Sequence, residues 1–319
     1  MSLLTTAFVF PGQGSQVVGM GRDIAAAFPA ANRVFEEAND ILGTSISSLC
    51  FFGPEEALNN TFNTQPALFV TSIAILRALE TEVPNIRPAF YAGHSLGELT
   101  ALTASGAMSF VDGLRLVRER GRLMEAAGNE NPGAMAALLG LNADVVEEVC
   151  LKAVETTGQT LVLANDNCPG QIVISGAVDA VDAGLVLAKE AGARRALKLP
   201  VSIASHSPLM QSAADSFQKI LADVEFSLPA VPVYANVTAA PLHTPEAIRI
   251  ELMEQLISRV RWTETIQNLT QDGVSTFVEI GSKDVLSGLN RRINSEITAV
   301  SLNSEAAIRE YMQNVITKS

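Results

Sequence analysis

Apolar and polar positions alternate between two periods along the first third of the chain. Thr6–Phe10 is a short apolar run that reads as a buried strand, and it enters the loop Pro11-Gly12-Gln13-Gly14-Ser15-Gln16. Residues 65–79 carry helical periodicity. Residues 89–92 form a second short apolar run ending in Gly93. Helices are expected from Ser95 to near Gly106 and over 111–127. Strands that alternate with helices in this way predict a parallel sheet with helices on its faces.

The pattern changes at Gly128-Asn129-Glu130-Asn131-Pro132-Gly133, a polar, turn-rich stretch that marks a boundary. Beyond it come a strand at 135–139, a helix at 143–154, and strands at 160–164 and 171–175 separated by the turn 165–170. A helix at 178–191 and a strand at 195–201 follow. That order, β-α-β-β-α-β, is ferredoxin-like. Longer elements then return: a helix at 208–221, a strand at 231–236, a helix at 246–257 and a final buried strand at 276–280. The expected fold class is α/β. A large domain with a mostly parallel sheet is built from residues 1–130 and 202–319, and a ferredoxin-like small domain, 131–201, is inserted into it.

Composition narrows the function classes. The 319 residues are 48% hydrophobic and 18% charged, enough for a sizeable core. Lys and Arg total 22 against 34 Asp and Glu, a net charge of −12, which argues against nucleic-acid and anionic-membrane partners. Three cysteines (Cys50, Cys150, Cys168) and three histidines (His94, His206, His243) are too scattered for a disulfide framework or a structural zinc site. No apolar run reaches the roughly 18 residues that span a bilayer. The N-terminal segment lacks a basic lead and reads as a first core strand, not as a signal peptide. A reduced, cytoplasmic compartment is expected.

Gly93-His94-Ser95-Leu96-Gly97 is a G-x-S-x-G pentapeptide between an apolar strand and a helix, the context of a nucleophile elbow. The plain alternative is a strand–helix turn whose glycines are steric. At the helix N-terminus, free N–H groups and the dipole can stabilise an oxyanion beside Ser95. A serine needs a base. His206 sits in a loop after a strand, where active-site residues of α/β sheets gather. His243 lies between two prolines and reads as exposed, while His94 is not expected to face the serine. No acid stands where the usual hydrolase order, Ser…Asp/Glu…His, requires one, so that layout fits badly. The loop at 10–16 matches neither G-x-G-x-x-G nor G-x-x-x-x-G-K; its alternative role is half of an oxyanion hole.

The 111–127 helix holds Arg115, Arg118, Arg120 and Arg122, which could form no more than a solvated face. Arg120, however, has Leu116, Val117 and Met124 at i−4, i−3 and i+4, so it lies at the edge of the apolar stripe, whereas Arg118 should face water. An arginine set in an apolar face suits a carboxylate held bidentately.

Together these residues resemble the malonyl-CoA:acyl carrier protein transacylase family, the acyltransferases of fatty acid and polyketide synthesis. The resemblance rests on Phe-Val-Phe-Pro-Gly-Gln-Gly-Ser-Gln at 8–16, Thr-Gln-Pro-Ala at 64–67, Gly-His-Ser-Leu-Gly-Glu at 93–98, Arg120-Gly121 and Gly-Ala-Met-Ala at 133–136. It continues through Asn-Cys-Pro-Gly-Gln at 167–171, Ser205-His206-Ser207, Asn236-Val237-Thr238 and Val260-Arg261-Trp262. It implies an [acyl-carrier-protein] S-malonyltransferase of ping-pong mechanism. Ser95 would be the acylated nucleophile and His206 its base. The N–H groups of Gln13 and Leu96 would form the oxyanion hole, and Arg120 would bind the malonyl carboxylate. A backbone carbonyl at Gln255 would steady the histidine, which accounts for the missing acid. Asn165 and Asn167 would lie in a turn facing the cleft. Malonyl-CoA and a phosphopantetheinylated acyl carrier protein are the implied partners, with no cofactor.

An acidic carrier implies local basic docking, for which Lys189, Arg194, Arg195 and Lys198, or Arg291 and Arg292, are candidates. Two departures stand out: Leu99 replaces a common aromatic residue, and Ser282-Lys283-Asp284 replaces a common Pro-Gly-Lys near the active-site mouth. The alternatives are a stand-alone acyltransferase of a polyketide assembly line, a serine acyl-thioester hydrolase of the same fold, and a non-catalytic scaffold.

Overall fold

The computed structural model describes residues 3–84 and 86–317, so Met1 and Ser2, at the head of the expected first strand, lie outside the described residues. Nine strands are described: β1 (Thr6–Phe10), β2 (Phe90–Gly93), β3 (Gly133–Leu139), β4 (Leu161–Cys168), β5 (Gln171–Ala177), β6 (Arg195–Lys198), β7 (Val233–Tyr234), β8 (Thr276–Ile280) and β9 (Thr298–Leu302). They form two sheets. The first runs β7-β2-β1-β8-β9 with every pairing parallel. β1 and β8 are buried at every position, because helices cover both faces and leave no polar side to show. Within β1 the side chains alternate. Phe8 and Phe10 enter one core, Ala7 and Val9 the other.

The second sheet runs β4-β5-β3-β6 and is antiparallel throughout. The helices Ala143–Thr157 and Val178–Glu190 bury Val146, Val149, Ala180 and Val181 with Ala136, Leu138, Ile172 and Ile174 in a core of their own. Element order and strand order are those of a ferredoxin-like fold, as the pattern implied.

Several boundaries differ from the pattern. The turn-rich stretch at 128–133 is helical as far as Glu130, because Gly128 continues the last turn of Phe110–Glu130 and packs closely on Ile203. β4 extends to Cys168, so 165–168 is strand and not turn. Register shifts after Leu163 and Asp166 accommodate Asn-Asp-Asn on what is an edge strand. The strand expected over 231–236 shortens to two residues. The strand 276–280 is not the last: β9 pairs parallel with it at the sheet edge. Four helices between Arg22 and Asn59, the longest Pro29–Leu42, had no counterpart in the pattern.

One helix contact positions the site. The helices Thr61–Glu82 and Phe110–Glu130 cross so closely at Gly121 that a Cβ there would lie 2.9 Å from the Thr61 carbonyl oxygen. That approach sets Gln65 beside Arg120, the residue preceding the glycine.

Candidate active site

The elbow is built by two glycines. A Cβ at Gly93 would lie 1.9 Å from the carbonyl oxygen of Gly97, and a Cβ at Gly97 would lie 2.0 Å from that of Phe10. Only hydrogen fits at either position, so the chain can fold sharply off β2 into the helix Leu96–Ala104. Ser95 caps that helix with φ 52° and ψ −109°, a conformation that costs a non-glycine residue on the order of 1–3 kcal/mol. The surroundings hold it there. Its N–H donates to Asn236 Oδ1 at 2.6 Å, and Asn236 Nδ2 donates to the Gly93 carbonyl at 2.7 Å. Gly97→Ala is expected to destabilise the fold by about 3 kcal/mol or more, because the neighbour is backbone and cannot yield. A melting temperature within a degree of the parent would contradict this.

Ser95 Oγ meets two groups. It lies 2.9 Å from His206 Nε2 and accepts from Arg120 Nη2 at 3.1 Å. His206 Nδ1 lies 2.7 Å from the Gln255 carbonyl oxygen. A carbonyl only accepts, so the proton resides on Nδ1 and Nε2 is free to take the serine proton. The His206 N–H also donates to the Leu256 carbonyl, which ties the histidine to the same segment. A carbonyl thus occupies the place where a hydrolase triad has a carboxylate.

Arg120 is buried, as its apolar neighbours implied. Nη1 donates to Gln65 Oε1 at 3.0 Å and Nη2 to Gln255 Oε1 at 2.9 Å. Its Nε has no acceptor among the described residues. A buried guanidinium whose neighbours are neutral amides is poised for an anion. Arg118 does not face water alone, contrary to its helical neighbours. It stacks over Phe62, 3.6 Å from the ring centre, and donates to Asn63.

The loop after β1 lies against the elbow. The His94 N–H donates to Phe10 O, and Gln13 Nε2 donates to Thr61 Oγ1 at 3.3 Å. The N–H groups of Gln13 and Leu96 have no acceptor among the described residues. Lys283, within one of the departures, donates to the Gly14 carbonyl and so steadies the loop from outside.

Asn165 and Asn167 occupy β4, not a turn. The Asn167 Oδ1 lies 2.7 Å from His94 Nε2, joining the antiparallel sheet to the elbow. Asn165 is buried and bridges to Val260 through the backbone. His94 faces Asn167 and the edge of Trp262 rather than the serine hydroxyl, and His243 is exposed. Asn236 and Gln65 lie within motifs of the sequence that assign them no role. An asparagine directly after an apolar strand was the available signal for Asn236, but its partner lies 141 positions away.

Burial, and then the Arg120 charge, push the His206 imidazole down to about 3. It is therefore neutral and able to act as a base through the physiological range. Burial lowers Arg120 to about 10, still well above physiological pH, so the guanidinium stays charged. The sign for stability follows. The folded imidazole titrates below the unfolded one, so its contribution is complete above 6.5 and declines as pH falls from 6.5 toward 3. For catalysis, kcat/KM is expected to show no acid limb near 6.5. An imidazole limb at that pH, abolished in His206→Ala, would contradict the buried neutral base.

These features define an α/β protein with a serine–histidine dyad and a buried arginine at the nucleophile, a class suited to covalent acyl chemistry. Residues 7–306 match the model of the acyl transferase domain, and the chain belongs to that family. It is 45% identical over 309 residues to the malonyl CoA-acyl carrier protein transacylase of Bacillus subtilis (strain 168), covering 97% of this chain and 96% of that protein. It is 44% identical over 302 residues to the protein of the same name from Escherichia coli (strain K12), covering 95% and 97%. A malonyl-transacylase solved in complex with a type II polyketide synthase acyl-carrier protein superposes with a TM-score of 0.94 at 43% identity, covering 97% of this chain and 99% of that one.

Among the described residues, no group of three or more His, Cys, Asp and Glu could hold a metal ion, and no helix is long and apolar enough to cross a membrane.

Proposed function

We propose that the chain moves a malonyl group from malonyl-CoA to the phosphopantetheine thiol of an acyl carrier protein, through a malonyl-serine at Ser95. The observation that carries this reading is Arg120, buried, charged and 3.1 Å from the nucleophile. The names of the relatives support the substrate and the acceptor.

The steps follow from the geometry. Ser95 Oγ attacks the thioester carbon while its proton passes to His206 Nε2. The carbonyl oxygen becomes an oxyanion held by the N–H groups of Gln13 and Leu96. The C–S bond breaks, and the coenzyme A sulfur takes the proton back from His206. The carrier thiol then gives its proton to His206 and attacks the ester, and Ser95 recovers its proton as the C–O bond breaks. The Gln255 carbonyl orients the imidazole throughout. No redox step or metal is needed.

The wider reading is an enzyme of fatty acid biosynthesis in the cytoplasm. Service to a polyketide assembly line is the alternative, supported by the polyketide carrier bound to the structural neighbour. Residues 131–201 are read as a small domain inserted between 1–130 and 202–319. Asn165 and Asn167 are read as lining the cleft from that side. Carrier docking is read at one of two basic patches, the exposed Lys189, Arg194, Arg195 and Lys198, or Arg291 and Arg292.

Arg120→Ala tests the substrate. Malonyl-CoA differs from acetyl-CoA by a free carboxylate, whose burial is costly unless paired. A charge-assisted bidentate contact in a partly dry site is worth roughly 2–4 kcal/mol, about 30- to 1000-fold in rate. Malonyl transfer should fall on that scale and acetyl transfer much less, with Arg120→Lys recovering part. Arg122→Ala, exposed and paired with Glu119, is the control. Equal losses with both acyl groups would make Arg120 structural.

A further inference from the structure

Behind the elbow lies a carboxyl pair that the steps above do not use. Glu98, one turn beyond Ser95, is fully buried. Its Oε2 accepts from Gln255 Nε2, while its Oε1 is buried with no hydrogen-bond donor reaching it among the described residues. Glu251, on the helix Pro245–Glu254, is also buried. Its Oε1 accepts the N–H groups of Asn236 at 2.9 Å and Val237 at 2.8 Å. The two carboxyls bear directly on one another.

Two buried carboxylates in contact repel unless they share a proton. With both ionised, Glu98, Glu251 and Arg120 would leave one excess negative charge inside the protein. With one proton retained, the cluster is neutral. The Glu98 oxygen that no donor reaches loses no hydrogen bond by carrying that proton. Glu251 already receives two N–H groups, which favour its ionised form. Burial raises both groups, with the Glu251 charge adding to the rise at Glu98 and Glu254 adding to that at Glu251.

We propose that Glu98 is protonated, shares that proton with Glu251, and serves through Gln255 as a positioning residue for Arg120. The bond directions fix one another. Glu98 Oε2 accepts from the Gln255 amide nitrogen, which also donates to the Ser95 carbonyl at 3.0 Å. The amide oxygen must then point the other way, where it accepts from Arg120 Nη2. A reversed amide would set donors against the guanidinium and turn it from the serine. An ionised Glu98 would also draw Arg120 toward itself and compete with an incoming carboxylate. The neutral acid holds the amide without that competition.

This inference rests on the malonyl-transfer reading, and the test separates the two. Wild-type enzyme without malonyl transfer would fail that reading and leave the proton on Glu98 to be judged by infrared spectroscopy. Glu98→Ala removes the acceptor of Gln255 and should raise the KM for malonyl-CoA about 10- to 100-fold, with a smaller change for acetyl-CoA. Glu98→Gln keeps an acceptor toward Gln255 and a donor toward Glu251, so it should recover all but about threefold of that loss. In the infrared, a protonated-carboxyl band of the wild type at neutral pH should disappear in Glu98→Gln, a readout that stands even where Glu98→Ala does not fold. Three results would each overturn the proposal: a loss in Glu98→Gln equal to that in Glu98→Ala, equal effects on malonyl and acetyl transfer, or an unchanged infrared band.

Discussion

Ser95→Ala is expected to lower malonyl transfer by more than about 10⁴-fold, the scale on which removing a nucleophile acts when the catalytic groups work as a unit. The fold should survive. Alanine keeps the elbow's shape, and Gly93, Gly97 and the Asn236 bonds are untouched. Among the described residues the hydroxyl's hydrogen-bond partners are His206 and Arg120, so its loss removes chemistry more than packing. A normal melting temperature with no covalent malonyl adduct is the expected pair of results. Adduct accumulating at another residue would displace the nucleophile from Ser95.

His206→Ala should slow acylation by about 10²–10⁴-fold, the usual worth of a positioned base. The residue sits at φ 59°, an uncommon backbone state for a side chain of its size, and is held by Leu256 and Gln255. Its neutral form at physiological pH matches the demand for a proton acceptor. His243→Ala, on an exposed loop, should change the rate little. Pre-steady-state release of coenzyme A from both variants checks the ranking, and the reverse order would move the base elsewhere.

Local features of the site were legible in the sequence, and long-range ones were not. The elbow is five residues between a strand and a helix, so spacing alone located it. Arg120 was legible because helical neighbours at i−4, i−3 and i+4 decide which face a side chain takes. The same reasoning failed for Arg118. Phe62, which covers it, comes from another helix and has no local signature. The Gln255 amide meets the Ser95 carbonyl across 160 positions, a pairing that only the folded chain creates. In the fold, buried strands such as β1 read clearly as apolar runs. β9 did not, because an edge strand with Thr298, Val300 and Ser301 partly exposed lacks a continuous apolar signal. Asn165 and Asn167 read as a turn because three polar residues in sequence suggest one, whereas bulges on an edge strand carry them here.

The acyl enzyme is expected to pass its group to a carrier thiol in preference to water. Wild-type protein loaded with malonyl-CoA and freed of excess thioester should carry one malonyl mass on the peptide containing Ser95. Adding phosphopantetheinylated acyl carrier protein should clear that mass within the assay and place it on the carrier thiol, while buffer alone leaves it on the serine. Loss of the malonyl group at the same rate with and without the carrier, with free malonate as the product, would contradict the account and mark the protein as a hydrolase.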